Sequence, residues 1–371
     1  MKVRKLNQSG FTLIELMVAL TLSLIMLGGI SVIYVSTQKT GRIQDGLQQL
    51  NESGRFAIEM LSRDLRMSGY YGCSEDDNPM DDAGPVVNNI GGNYSVFPLS
   101  AYEHSTSGAN AVWHPDIYSV DENNKLTADG PPPVTNSDMI IVRMASLLQE
   151  DDGDDVVITN NVQSQLDDIV ISDSSALSNG DFMMIGNCEQ ADIFKASDVN
   201  GATHTIKHET NVTGGINGNY SNNSDSISNV YDSTANVYKF YAVRYEVKLD
   251  PSNNSIPTLF RQVNDQPEEA MIPGVESLQL QYGVDTGGTL APDTLVQAHE
   301  VTNWSAVRTI KVSLLMRTEE EFGYEDFDRN DFPVTVAGNS FLRVGDYLLP
   351  KDDDRVRRRV FQTTINVRNS T

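Results

Sequence analysis

Twenty-five consecutive residues, from Phe11 to Val35, carry a single charged side chain, Glu15. As a helix that run extends roughly 37 Å, enough to cross a bilayer. A helix in a soluble core is apolar along one stripe, whereas this one is apolar all round, and that points to a membrane span. The ten residues ahead of it hold Lys2, Arg4 and Lys5 and no acid, which is the polarity of a targeting segment. A secretory signal peptide places a small-x-small cleavage site after its apolar stretch. Gly28, Gly29, Ile30 and Ser31 do not supply one, so the cut is expected ahead of the run.

The segment Gly10-Phe11-Thr12-Leu13-Ile14-Glu15 resembles the type III signal of type IV pilins and pseudopilins. That resemblance implies cleavage after Gly10 by a prepilin peptidase and methylation of the new terminal amine on Phe11. Residues 1–10 are then a leader peptide. A carboxylate inside hydrocarbon costs about 2.5–3.5 kcal/mol on insertion scales, so Glu15 calls for a partner. The resemblance implies that Glu15 directs subunit assembly by pairing with the terminal amine of a neighbouring subunit. The plainer alternative is a helix-start glutamate stabilised by the helix dipole.

Beyond the span, Ile43, Leu47, Leu50, Gly54, Ala57, Leu61 and Leu65 recur every three or four residues, one apolar stripe on a continuing helix. Arg55/Glu59 and Glu59/Arg63 stand four apart on its other faces, where opposite charges support a helix. No proline interrupts the pattern, Gly28-Gly29 allows the membrane half to flex, and Gly69 supplies a stop near Ser68. The chain therefore divides into a leader (1–10), a helix (11–68, with 11–35 transmembrane) and a head (69–371). The expected fold is α+β and type IV pilin-like: a long N-terminal helix, first transmembrane and then amphipathic, packed on a β-rich globular head.

Three further blocks carry a narrower resemblance. Residues 51–73, which end Gly69-Tyr70-Tyr71-Gly72-Cys73, are similar to the helix end and following loop of the PilW family. Residues 271–285 look like that family's central strand, and 357–369 like its closing strand. The resemblance implies a minor pilin of the type IV pilus, acting in pilus biogenesis within a minor-pilin priming complex that ends at the tip. Its partners would be other minor pilins, the major pilin, the prepilin peptidase and the inner-membrane assembly machinery. The head would lie in the periplasm before assembly and at the cell surface, in the pilus, afterwards. The nearest rival is a J-like minor pseudopilin of type II secretion, which shares signal, helix and β-rich head. A rival of another class is a membrane-anchored periplasmic enzyme or binding protein.

After Gly69 the pattern changes to short β-like runs broken by Gly, Asn, Asp, Ser and Pro. Candidate strands are 139–144, 156–159, 182–185, 238–247, 310–316 and 361–367. Residues 198–236 are rich in Asn, Ser, Thr and Gly and read as a long, solvent-facing loop or flexible insert. Pro131-Pro132-Pro133 reads as a rigid connector. Two cysteines, Cys73 and Cys188, are the minimum for one disulfide. Export makes their oxidation reasonable, and closing a loop of about 115 residues contributes roughly 4–5 kcal/mol on the chain-entropy model. Two separate buried thiols are the alternative.

Enzyme signatures are missing: there is no G-x-S-x-G, H-E-x-x-H or P-loop motif. A net charge of -24 repels nucleic-acid phosphates, so no direct nucleic-acid binding is expected. No cofactor and no metal site are expected. His204 and His208 stand four apart in a strand-like region, where that spacing does not bring both to one face. The acids of 150–155, Asp76-Asp77, Asp81-Asp82 and Asp326-x-Asp328-x-Asn330 do not complete a calcium loop and read as solvated turns. Arg355, Arg357, Arg358 and Arg359 form the one basic cluster, expected to pair across strands with the acidic surface.

Overall fold

The computed structural model describes residues 12–72, 86–91, 98–102, 137–210, 220–253, 256–320, 356–367 and four short strands within 334–348. Gly10, Phe11, Cys73, Pro131-Pro132-Pro133, the acidic groups at 76–82 and 326–330, and Arg355 lie outside the described residues.

One helix, α1 (Leu13–Arg66), runs uninterrupted through Gly28 and Gly29. By contacts the chain divides after Gln49. In the first unit the apolar side chains from Leu13 to Val35 are all exposed, and the most apolar 18-residue window has a mean hydropathy of 2.4 with none of it buried. The second unit begins at Leu50, and here the stripe is used: Leu50, Gly54, Ala57, Leu61 and Leu65 are buried. Leu47, just ahead, is exposed. After Arg66 the chain leaves the helix through Met67–Gly69, where Gly69 takes φ +73 and donates its N–H to the Arg143 carbonyl at 2.9 Å. Glycine tolerates that left-handed turn at a helix end without steric cost.

The head follows as β1 (Val86–Asn88), β2 (Leu99–Tyr102), β3 (Met139–Leu147), β4 (Ile169–Val170), β5 (Phe182–Gly186), β6 (Ala191–Lys195), β7 (Asp198–Asn200) and β8 (Thr205–Lys207). Next come β9 (Asn236–Asp250), β10 (Ile256–Val263), β11 (Glu269–Pro273), β12 (Val275–Val284), β13 (Thr294–Val296) and β14 (Val307–Arg317). Two small hairpins, β15 (Val334–Val336) with β16 (Asn339–Phe341) and β17 (Arg343–Val344) with β18 (Tyr347–Leu348), precede the closing β19 (Arg358–Asn366).

An eight-stranded sheet has the order β1-β6-β5-β9-β10-β11, with β3 joining β2 to β9; a four-stranded sheet has the order β13-β12-β14-β19. Only the β1–β6 pair is parallel among the described ladders. Strand β9 serves as the spine. One of its edges pairs along 238–245 with β3, and the other is shared, with β5 against 236–239 and β10 against 243–250. The main core lies among α1, β3, β9, β12 and β14, with Tyr245, Tyr282, Leu61 and Leu65 fully buried in it. A Leu removed completely from water contributes about 1.5–3 kcal/mol, so the docked stripe is a substantial part of the head's own stability.

Three sequence expectations are corrected. The block 271–285 is two strands, not one. Gly274, at φ +80, donates to the Pro257 carbonyl and accepts from the Arg317 amide, each at 2.8 Å, and passes the chain from the larger sheet to the smaller. A side chain there would collide with the Arg317 carbonyl. Residues 156–159 form only isolated bridges, at Val157 and Ile158. The described parts of 198–236 are not a solvated loop: they supply β7 and β8, and Ile206, Ile227, Tyr231 and Ala235 close a second core with Val156, Ile158, Ile169 and Phe194. Fully satisfied polar anchors hold this segment. The buried carboxylate of Asp192 accepts from Ser228 N–H (2.7 Å), Asn229 N–H (3.1 Å), Asn229 Nδ2 (3.0 Å) and the Tyr231 hydroxyl (2.6 Å). Asn222 accepts from Lys195 N–H and donates to the carbonyls of Lys195 and His208.

Candidate functional site

The start of α1 is built from a local sequence device. Thr12 precedes the helix, and its backbone N–H and its hydroxyl both donate to Glu15 Oε2, at 3.0 and 2.9 Å, while Glu15 N–H donates back to Thr12 Oγ1 at 3.3 Å. This is a reciprocal capping box, which satisfies amides that the first turn of a helix leaves without partners. The polar groups of the following span are also settled internally. Thr21 Oγ1 donates to the Val18 carbonyl at 2.9 Å, Ser23 Oγ to Ala19 at 2.7 Å and Ser31 Oγ to Leu27 at 2.8 Å. In hydrocarbon no water is available, so hydroxyls folded back onto the preceding turn suit such a segment. Glu15 is exposed, its carboxylate held only by Thr12 among the described residues.

Within the second unit, three contacts fix the amphipathic half of the helix to the sheets. Gly54 lies against the Phe361 ring on β19 so closely that an added methyl group would overlap it. Arg359, stacked over Phe361 with its guanidinium 5.6 Å from the ring centroid, donates to Asn51 Oδ1 at 2.5 Å. Near the helix end, the Tyr245 hydroxyl donates to Asp64 Oδ2 at 2.5 Å and accepts from Arg261 Nε at 3.1 Å; Arg261 Nη2 lies 3.4 Å from the same carboxylate. Burial, reinforced by the Asp64 charge, pushes the Tyr245 phenol well above the ordinary tyrosine range. Sequence inspection picks out none of Asp64, Tyr245 and Arg261, because their positions are joined only by the fold. The Thr12–Glu15 box was legible as T-x-x-E, although Glu15 alone draws attention by its charge.

Cys188, in the turn between β5 and β6, is disulfide-bonded. The two histidines do not converge on a site. His204 Nδ1 lies 3.2 Å from Ser174 Oγ, and His208 Nε2 lies 3.1 Å from the Asp167 carbonyl, buried edge-on to Phe194. The acids of 150–155 form an exposed turn, closed by Glu150 N–H to the Asp154 carbonyl at 2.8 Å. Among the described residues no three His, Cys, Asp or Glu side chains are placed to hold a metal. In the basic cluster, Arg358 grips Glu276 through two bonds, Nε–Oε2 at 2.6 Å and Nη2–Oε1 at 2.9 Å, and Arg359 is committed to the helix as above.

Two family models match this chain. The prokaryotic N-terminal methylation motif covers residues 5–31, and the type IV pilus-assembly protein W family, PilW, covers 244–369, from the middle of β9 through β19. No curated protein and no solved structure matches it. The first match takes in the Thr12–Glu15 box and most of the exposed apolar run; the second spans the whole four-stranded sheet on which the helix stripe is seated.

Proposed function

We propose that this chain, a PilW-like type IV pilin, serves as a minor pilin that is inserted in the inner membrane, extracted into the pilus and used to prime its assembly. The observation that carries the reading is an exposed apolar helix beginning at a capped carboxylate, inside a matched methylation motif, in a chain whose last third matches a pilus-assembly family.

In this reading the prepilin peptidase cuts after Gly10, Phe11 becomes the methylated terminus, and residues 11–35 anchor the subunit with its head in the periplasm. Glu15 is the group through which the subunit joins the fibre. In the free subunit Thr12 satisfies its carboxylate; in the fibre the terminal amine of an adjacent pilin takes that place, so the charge does not enter hydrocarbon alone. Cys188 pairs with Cys73, the sequence's only other cysteine, tying the segment after the helix to the β5–β6 turn. The other minor pilins and the major pilin are its partners.

The experiment is a gene deletion complemented by wild type, Glu15→Ala or Gly10→Val, with surface fibres counted and the mature N-terminus read by mass spectrometry. Glu15→Ala is expected to be processed yet to leave cells poor in fibres, and Gly10→Val to stay uncut. Normal piliation of the Glu15→Ala strain overturns the role given to that carboxylate. Full piliation of the deletion strain together with lost protein secretion transfers the chain to a type II secretion fibre.

A further inference from the structure

Lys195, the last residue of β6, has its ammonium wholly buried, and its nearest charged partner is equally buried: Nζ lies 2.7 Å from Asp265 Oδ2, with side-chain exposures of 0% and 2%. Nζ also donates to the Tyr220 carbonyl at 3.3 Å and sits 5.1 Å from the centre of the Phe182 ring, against whose face Tyr220 packs edge-on. A buried ion pair offsets its desolvation cost only when both carboxylate oxygens are well satisfied. Here Asp265 Oδ1 is buried with no hydrogen-bond partner among the described residues. As a plain salt bridge the pair is poorly built.

Its place in the fold is specific. Strands β5 and β10 share one edge of β9 and leave a gap between residues 239 and 243. The turn after β10 fills that gap. Asn264, at φ +50, donates its backbone N–H to the Ala242 carbonyl at 2.8 Å, accepts from the Ala242 amide at 2.7 Å through Oδ1 and donates through Nδ2 to the Phe240 carbonyl at 2.9 Å. Asp265 is thereby fixed at the seam between the two halves of the large sheet. On the other side Lys195 is held through its own backbone by Asn222. Both reacting groups are carried on clamped backbone, buried beside Phe182 and Tyr220, within contact distance.

We infer that Lys195 and Asp265 become joined by an intramolecular isopeptide bond that staples this seam. In this condensation the proton shared along the 2.7 Å contact goes to the carboxylate, which leaves an amine facing a carboxylic acid. The nitrogen lone pair adds to Cγ and forms the Nζ–Cγ bond. A second N–H proton moves to the departing hydroxyl, one Cγ–O bond breaks, and water leaves. The net change is ammonium plus carboxylate giving amide plus water, with no oxidant or co-reactant. Fixed geometry supplies the drive, since well-oriented intramolecular partners reach effective molarities on the order of 10⁵–10⁸ M. The product removes both buried charges from the core.

The test is mass spectrometry of the full mature chain extracted from membranes in detergent. After allowance for the disulfide and the terminal methyl group, the wild type is expected to fall short of its sequence mass by one water. Its proteolytic digest, fully reduced, is expected to contain the Lys195 peptide joined to the Asp265 peptide. Recovery of those two peptides separately, at full mass, overturns the inference. Lys195→Arg keeps the charge and is expected to restore the missing water; a deficit that persists in this variant also overturns the assignment. Should that variant fail to accumulate, the wild-type peptide map decides by itself. The outcome concerns the head alone and leaves the pilin reading untouched either way.

Discussion

The Tyr245 hydroxyl reaches Asp64, 181 positions earlier in the chain, at 2.5 Å, and so ties the central strand of the large sheet to the end of the helix. Tyr245→Phe removes a charge-assisted bond from a site where Arg261 still neutralises Asp64. The expected cost is about 1.5–3 kcal/mol, read as a lower midpoint in urea unfolding with an unchanged slope.

The same phenol sets an alkaline limit. Tyr245 is raised by burial and by Asp64, and Tyr231 by burial and by Asp192. An unfolded tyrosine loses its proton near pH 10. Below that pH the two states bind the same protons and the contribution is complete; above it the unfolded chain ionises while the folded phenols do not, and stability falls. Stability measured by denaturant across pH 9–12 should therefore be level to about pH 10 and then decline. Tyr245→Phe should decline less steeply, and an identical slope in that variant would remove Tyr245 as a source.

Gly54→Leu forces a side chain into the Phe361 ring at the helix–β19 contact. Overpacking of this kind costs typically 1–3 kcal/mol. The variant should melt earlier and become sensitive to protease near residues 51–57, whereas Phe56→Ala, at an exposed position on the same helix, should change little.

Asp192→Asn replaces a carboxylate that accepts four hydrogen bonds with an amide that must turn a donor toward donors. A loss of about 3 kcal/mol is expected, with hydrogen exchange quickening first at residues 227–231. Unchanged protection there would mean that the second core, not Asp192, holds that segment.

On the proposed Cys73–Cys188 pairing, Cys188→Ser should match Cys73→Ser in stability, each lower than wild type by roughly 2–5 kcal/mol, because either change would open the same loop. The double variant should be no worse than either single one. Unequal losses would separate the two cysteines.

The anchor and the stripe could be read directly from the sequence, because both depend on side chains close together along one helix. Twenty-five residues with one charge define a membrane-length helix whatever follows, and the three-and-four spacing from Leu50 to Leu65 marks the buried face. The β-like runs at 139–144, 182–185, 238–247, 310–316 and 361–367 all lie within strands, apart from Val367, one residue past the end of β19, because runs of β-branched, aromatic and other apolar side chains are a local signal. Polar composition misled at 198–236, because whether an asparagine or serine is solvated depends on what faces it. Asp192, brought there by β6, and Asn222 of the stretch itself, bonded to Lys195 of β6, turn that stretch into buried structure.

Only the tertiary structure decided where the chain changes sheet at Gly274, which residues lock α1 to the head, and that Lys195 meets Asp265 across a seam in the larger sheet. Each of these joins positions tens to hundreds of residues apart. Such contacts follow from strand order and register, which local propensity does not encode, and their energies appear only once burial has removed competing water.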